Sequence, residues 1–379
     1  RNLSRWIGER IWFIMSALYV HVPFCQHICS YCDFCKVFYD EKWAWDYLKA
    51  LSFEIKDKAL STSYDSIYIG GGTPTALTYQ QLQYLFELLK PFSKQVQEYS
   101  IEVNPETMDQ EKLELCFQNG VNRLSIGVQT FRDDLLKKIG RVHTSKQVLE
   151  LIKDAQTIGF QDINIDLMYG LPDQTLEDVQ ADIQQLCQLD IGHVSYYALI
   201  LEDHTILKNM NYQPLDDEED AKWYHFIRQE LKKYGFHQYE VSNYYRYKPS
   251  LHNLVYWHYQ DYEGIGLSAH SLKKHHRYEN TKSLTRYLNH HYLENDIPLS
   301  MEDCLFEKIM MGLRLNEGIS LEEMNRLFDI DFQVKYQDVI TKYQNMNFLE
   351  ITNGYLKTTS LGMDYLNNIL IDFLEDEQG

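Results

Sequence analysis

Tyr19-Val-His-Val-Pro-Phe-Cys25-Gln-His-Ile-Cys29-Ser-Tyr-Cys32-Asp-Phe34 is the stretch on which the reading of this chain turns. Its C-x3-C-x2-C spacing sets three thiols within eight residues, a density that packing does not explain and that suits a metal centre. A closed zinc site takes a full set of four protein ligands, whereas three thiolates on a [4Fe-4S] cube leave one iron open to a small molecule. The strand-like run before Cys25 and the third, upstream cysteine separate this pattern from a simple CxxC redox pair.

Outward from this loop, short β-branched or aromatic runs alternate with longer helical patterns from Ala17 to about Ile200. The strand candidates are Leu18 to Val22, Ser66 to Ile69, Tyr99 to Val103, Arg123 to Val128, Asp162 to Met168 and His193 to Leu199. Amphipathic segments such as Tyr79 to Leu89 and Ser145 to Ile158 lie between them. This alternation predicts parallel strands joined by helical crossovers. Six units fall short of an eightfold barrel, so the expected core is α/β, a laterally open (β/α)6 barrel with its chemistry at the strand C-terminal ends.

After residue 200 the pattern changes. Asp216 to Asp220 opens a helix running to about Tyr234, and an aromatic-rich stretch from Tyr239 to Tyr262 leads to Gly264-Ile-Gly-Leu-Ser-Ala-His270. From about Met301, helices and an Asn353-Gly354 turn predict a small winged-helix-like α+β domain. The expected division is therefore 15–235 for the barrel, 236–300 for an extension and 301–379 for the winged domain. Arg1 to Ile14 precede Met15 and are left out of the fold argument; upstream translated sequence, an expression remnant and a short surface helix all stay open for them.

The 379 residues are 44% hydrophobic, enough for a sizeable core. The net charge of -19, from 36 basic and 55 acidic side chains, opposes non-specific attraction to nucleic acid or anionic lipid. A winged helix often binds DNA, yet residues 315–379 carry four basic and twelve acidic side chains, so no nucleic-acid partner is expected. The seven cysteines, four of them between residues 25 and 35, do not form a secreted disulfide framework. Cys116, Cys187 and Cys304 are expected as buried thiols, and the free thiols point to a reducing cytoplasm. The apolar run Ile11 to Val20 is too short to span a bilayer, so no signal peptide, no transmembrane helix and at most peripheral membrane contact are expected.

Gly70-Gly-Gly-Thr73 follows an apolar strand and lacks the Gly-Lys-Ser/Thr ending of a Walker loop. It reads either as a tight strand-to-helix turn or as a place of close backbone approach. His252-Asn-Leu-Val-Tyr-Trp257 reads either as a histidine bonded within an aromatic core or as an imidazole with a flat apolar wall.

The cysteine loop with its flanks resembles the radical S-adenosylmethionine (SAM) superfamily. The resemblance narrows to the HemN/HemW family through Tyr19 to Cys25, Ile69-Gly-Gly-Gly-Thr-Pro-Thr75, Arg123-Leu-Ser-Ile-Gly-Val-Gln129 and Asp166-Leu-Met-Tyr-Gly-Leu-Pro-Asp-Gln174. It extends from Met15 over nearly the whole chain, and His252 to Trp257 matches the HNxxYW motif of the HemW branch.

The resemblance implies a partial (β/α)6 radical SAM barrel in which Cys25, Cys29 and Cys32 hold a [4Fe-4S] cluster. The open iron would chelate SAM, whose reductive cleavage gives a 5'-deoxyadenosyl radical. It implies SAM contacts for Tyr19, Tyr31, Gly72, Thr73, Glu102, Gln129, Arg141 and Asp166, with Arg141 pairing the carboxylate and the acidic groups suited to ribose hydroxyls. Tyr19 and Tyr31 equally suit plain strand and loop aromatics. Cys35 departs from the C-x3-C-x2-C-x-C of the oxidase branch and is read as a free thiol. His252 is expected to bind heme iron, with Tyr256 and Trp257 as its wall and His270, His275 and His276 as alternative ligands.

The implied function is a heme chaperone that delivers heme to acceptor hemoproteins, served by a low-potential electron donor such as flavodoxin or ferredoxin. The rival is oxidative decarboxylation of coproporphyrinogen III, against which stand the missing C-x-C ending and the short segment ahead of the cysteine loop.

Overall fold

The computed structural model describes residues 15–203, 205–210 and 212–375. The N-terminal segment, residues 1–14, lies outside the described residues. Six parallel strands form in chain order: β1 (Ala17–Val22), β2 (Ser66–Gly71), β3 (Glu98–Val103), β4 (Arg123–Gln129), β5 (Asp162–Tyr169) and β6 (His193–Ala198). Helices on the outer face cover them, which is why the strands read as apolar runs, β4 being buried along its entire length. Several crossover helices begin in local capping boxes, Thr78 with Gln81, Thr144 with Gln147 and Thr175 with Asp178, which satisfy the first free backbone N–H groups.

The chain after residue 236 lengthens this sheet at both edges. β7 (His237–Gln238) and β8 (Asn243–Tyr245) add antiparallel beyond β6. β9 (Tyr262–Gly266) pairs in parallel with β1, from Ala17↔Tyr262 to His21↔Gly266. The antiparallel strands β10 (His270–Lys273), β11 (His276–Asn280) and β12 (Leu293–Pro298) follow. The result is a twelve-stranded sheet of order β12-β11-β10-β9-β1-β2-β3-β4-β5-β6-β8-β7, with β12 and β7 as its edges. One core joins Leu18, Val20 and Ile69 to Ile265, Leu267 and Tyr287, so the extension packs as part of the barrel body.

A second core, from Leu305 to Phe373, belongs to the C-terminal unit. There β13 (Ile319–Ser320), β14 (Leu349–Thr352) and β15 (Tyr355–Thr358) form a sheet of order β13-β15-β14. Asn353 and Gly354 turn the wing with φ of 53° and 80°, as the Asn-Gly pair predicts. With its helices this is the winged-helix-like arrangement expected. Among the described residues no helix is long and apolar enough to cross a membrane. Cys116 and Cys304 are buried, but Cys187, at the last position of helix Leu176–Cys187, is half-buried.

Candidate cluster and cofactor site

The cysteine loop is pinned by backbone hydrogen bonds along its length. Gly72 and Thr73 donate to the Val22 and Phe24 carbonyls at 2.8 Å each, and Val37 and Tyr39 close the loop on Pro23 at 2.8 Å and Cys25 at 2.9 Å. In the middle, Ser30 donates to Ile139 at 3.0 Å and accepts from Leu207 at 2.9 Å. The Lys36 ammonium binds the Cys32 and Phe34 carbonyls at 2.7 and 3.1 Å. Cys25 is buried while Cys29 and Cys32 are half-buried.

Burial pushes the Cys25 thiol up to about 11 against the pull of the Thr73 hydroxyl, and it raises Cys32 as well. Metal binding at these thiols must therefore displace protons. Among the described residues no three His, Cys, Asp or Glu side chains converge on a single-ion site. A cube that gives each thiolate its own iron spreads the sulfurs more widely. Two of the sulfurs already face donors: Thr73 Oγ1 lies 3.5 Å from Cys25 Sγ, and Arg141 Nη1 lies 3.6 Å from Cys29 Sγ. Such donors suit thiolates carrying negative charge, and the loop fits a cluster.

The glycine turn beside the loop has no room for side chains. A Cβ on Gly70 would stand 2.8 Å from Glu102 Oε1, one on Gly71 (φ +117°) 2.8 Å from the His21 ring, and one on Gly72 2.7 Å from the Pro23 carbonyl oxygen and 3.0 Å from Cys25 Sγ. The sequence left open a plain tight turn; the structure shows close approach at each step, to Glu102 at Gly70, to His21 at Gly71 and to Pro23 and Cys25 at Gly72. Glu102 holds the turn, accepting from Gly71 N–H and Tyr68 OH at 3.0 Å each. Burial first, then the nearby Asp166 charge, pushes the Glu102 carboxyl up to about 7.

Arg141, in the loop after helix Asp133–Lys138, is 5% exposed. Its guanidinium donates to Asn104 Oδ1 at 3.1 and 3.0 Å and to the Gly127 carbonyl, while Nε is buried without a partner among the described residues. Burial works against its charge, but Tyr31, Cys29 and Glu106 outweigh it and the pKa is raised. A buried cation with an unspent donor beside the cluster loop suits a bound carboxylate.

Gln129 ends β4 at a bulge with φ of 69°, a sparsely populated conformation for a non-glycine residue, and its Oε1 accepts from Tyr197 OH at 3.3 Å. Asp166 lies within β5, as the strand candidate Asp162 to Met168 has it, bonded to Asn164 at 2.7 Å and Ser125 at 3.4 Å, and burial raises its carboxyl.

Tyr19 stacks on Tyr68 with centroids 6.3 Å apart and its hydroxyl meets His21 Nδ1 at 3.0 Å. Tyr31 packs against the small core of Leu135, Leu136 and Met168. Three further residues organise the site: His21, whose Nε2 meets the Cys35 carbonyl at 2.9 Å, Tyr68 and Asn104. Tyr19 and His21 occupy alternate positions of an otherwise apolar strand, so the period-two rule offered a signal for His21. Asn104 had none, since its side-chain partners Thr73 and Arg141 come from two distant segments.

His252 stands elsewhere, inside an aromatic core rather than beside the cysteine loop. It is 1% exposed, Nδ1 meets Ser66 Oγ at 2.9 Å, Nε2 meets Tyr256 OH at 2.8 Å, and the ring stacks on Tyr68. Both ring nitrogens are occupied. Ser66 is the first residue of β2, five residues from Gly71, or about 17 Å at strand rise. His252 thus lies toward the end of the barrel that serves stability. Glu98, first in β3, caps its helix by accepting from Ser250 Oγ and the Leu251 and His252 N–H groups at 2.7, 2.8 and 3.1 Å.

Tyr256 packs edge-on against His252 and Tyr262, and Trp257 lies under the Arg314 guanidinium of the C-terminal unit at 4.8 Å. The HNxxYW segment is therefore a joint between barrel and winged domain, not an open wall. Burial pushes the His252 pKa down to about 3 from the usual 6.5. The unfolded chain then takes up a proton that the folded chain refuses, so stability falls as pH drops from about 6.5 toward 3 and is unaffected above. Urea unfolding of His252→Gln should show a shallower acid loss across that window together with lower stability at neutral pH; an acid slope equal to that of the parent protein would contradict this.

Comparison with known proteins agrees with this geometry. The sequence profile of the radical SAM superfamily matches residues 19–186, and that of the HemN C-terminal domain matches residues 299–365. The chain is 36% identical over 380 residues to the heme chaperone HemW of Lactococcus lactis, spanning 96% of this chain and 98% of that one. It is 37% identical over 350 residues to the Bacillus subtilis heme chaperone HemW (86% and 92% of the two chains) and 32% over 381 residues to that of Escherichia coli (95% and 98%). Its fold superimposes on the coproporphyrinogen III oxidase HemN of Escherichia coli with a TM-score of 0.84 and 24% identity, covering 95% of this chain and 90% of that one. With the cysteine loop, the glycine turn and Arg141 gathered at one place and near full-length likeness to these chaperones, the chain belongs to the HemW family of the radical SAM superfamily.

Proposed function

We propose that this protein is a heme chaperone that binds a [4Fe-4S] cluster, SAM and heme, and passes heme to acceptor hemoproteins. The observation that carries this reading is the near full-length likeness to heme chaperones. Cys25, Cys29 and Cys32 would hold the cluster, the Gly72–Thr73 turn the amino group of SAM, and Arg141 its carboxylate. Glu102, Gln129 and Asp166 line the adjoining barrel interior, and Tyr19 and Tyr31 flank the site. When bound, the cluster supplies a low-potential electron, delivered by a flavodoxin- or ferredoxin-type donor. The acidic surface speaks against nucleic acid as a partner, and the free thiols suit a cytoplasmic setting.

For heme iron, His270 is the favoured ligand among the alternatives. His275 Nδ1 is bonded to Cys304 Sγ at 3.2 Å and His276 Nδ1 to Asp296 at 2.7 Å. The His270 side chain is 43% exposed, Nδ1 lies 3.7 Å from Glu279 Oε1, and Nε2 has no hydrogen-bond partner among the described residues. A carboxylate behind one ring nitrogen is the usual support for a metal-bound imidazole. Burial lowers its pKa, which favours the neutral ring that binds metal. The exposed rings of Phe34 and Phe38 on the cysteine loop offer apolar surface to a porphyrin.

Titration of cluster-loaded protein with heme should give a saturable Soret band, and His270→Ala should weaken binding tenfold or more. An unchanged band in that variant moves the ligand elsewhere. Absence of saturable binding in the parent protein would overturn the chaperone reading.

A further inference from the structure

We infer that Asn104 is a positioning residue that aims one hydrogen-bond donor at each of two cluster cysteines and thereby sets the reduction potential of the centre. This rests on the cluster assignment above. The Asn104 side chain lies between Thr73 and Arg141: Oδ1 accepts from both terminal guanidinium nitrogens at 3.1 and 3.0 Å, and Nδ2 donates to Thr73 Oγ1 at 3.0 Å. The amide cannot be turned the other way, because arginine offers donors alone and the atom facing it must be the oxygen.

That orientation decides the direction of the next bond. Thr73 Oγ1 accepts from the amide, so its single hydrogen is left for Cys25 Sγ, 3.5 Å away. On the other side, the guanidinium held by Oδ1 presents Nη1 to Cys29 Sγ at 3.6 Å. A continuous chain thus runs Cys25–Thr73–Asn104–Arg141–Cys29. The backbone of Asn104 is itself fixed, its N–H donating to Thr75 Oγ1 at 3.4 Å and its carbonyl accepting from Thr107 N–H at 3.0 Å. Hydrogen bonds to cluster sulfurs raise the reduction potential and their loss lowers it.

Asn104→Asp tests the direction with almost no change of shape. The carboxylate still accepts from Arg141, but it only accepts, so the Thr73 hydroxyl turns to donate to it and Cys25 loses its donor. The added charge also lowers the potential, and a second background separates the two effects. In Thr73→Val there is no hydroxyl to turn, so Asn104→Asp then acts through charge alone.

Redox titration of the cluster should show a larger negative shift for Asn104→Asp in the parent protein than in Thr73→Val. Equal shifts in the two backgrounds would overturn the inference. If Asn104→Asp fails to hold iron, Asn104→Leu replaces it: loss of the Arg141 anchor should weaken SAM binding at retained iron content, and unchanged affinity with unchanged potential would overturn the inference. A parent protein that assembles no cluster would instead defeat the cofactor assignment itself.

Discussion

Anaerobically reconstituted Cys29→Ala protein is expected to lose the iron–sulfur absorption in the visible range, and Cys25→Ala and Cys32→Ala likewise, while Cys35→Ala keeps it. Two thiolates leave a cube with two unprotected irons, and such a cluster is labile. The backbone contacts at Ser30, Val37 and Tyr39 hold the loop independently of the sulfurs, so the alanine variants should stay folded. Cys35 has a different partner: its thiol is directed at the Lys282 carbonyl at 3.9 Å. Iron and sulfide content measured with the spectra checks the assignment. An intact cluster in Cys29→Ala, or its loss in Cys35→Ala alone, would mean that the ligands are wrongly assigned.

The second large effect is on SAM. Arg141→Ala should weaken SAM binding about tenfold or more while iron is retained, because losing a charge-assisted contact costs on the order of 1.5 to 3 kcal/mol. The geometry explains why iron stays: Arg141 touches Cys29 Sγ from outside the loop, whereas Ser30 and Gly72 fix the loop itself. Arg141→Lys should recover only part of the affinity, since an ammonium cannot reproduce the forked donors that also meet Asn104 and Gly127. Equilibrium titration of cluster-loaded variants decides it, and unchanged affinity in Arg141→Ala would remove this residue from the site.

Much of the architecture was legible because its signals are local. Helices Tyr79–Leu89 and Ser145–Ile158 end where the amphipathic pattern ends, and both start from Thr-x-x-Gln capping boxes. The six parallel strands stand within a residue or two of their β-branched runs, and the Asn353-Gly354 turn forms where its sequence asks for φ > 0. The cysteine loop announced itself by spacing alone.

The remainder depended on contacts between distant segments. β9 lies beside β1 although 245 residues separate Ala17 from Tyr262 in the chain, and no periodicity encodes such a pairing. At His252 the residues alone left a core histidine and a ligand both open, because its partners Ser66, Tyr68 and Glu98 are invisible from its own neighbourhood. The same holds for Asn104, which gains meaning only once Thr73 and Arg141 are brought to it. Polar residues whose hydrogen bonds close inside a core are ambiguous in sequence, since burial, not residue type, decides whether a nitrogen is free.

The central claim is that the radical SAM core here serves heme delivery and not porphyrin synthesis. Its most direct test incubates the cluster-loaded protein with SAM and reductant, in parallel with heme plus an apo-hemoprotein and with coproporphyrinogen III, and measures heme transfer and protoporphyrinogen formation side by side. The account predicts heme appearing on the acceptor with no decarboxylated product. Catalytic formation of protoporphyrinogen IX without heme transfer would contradict it.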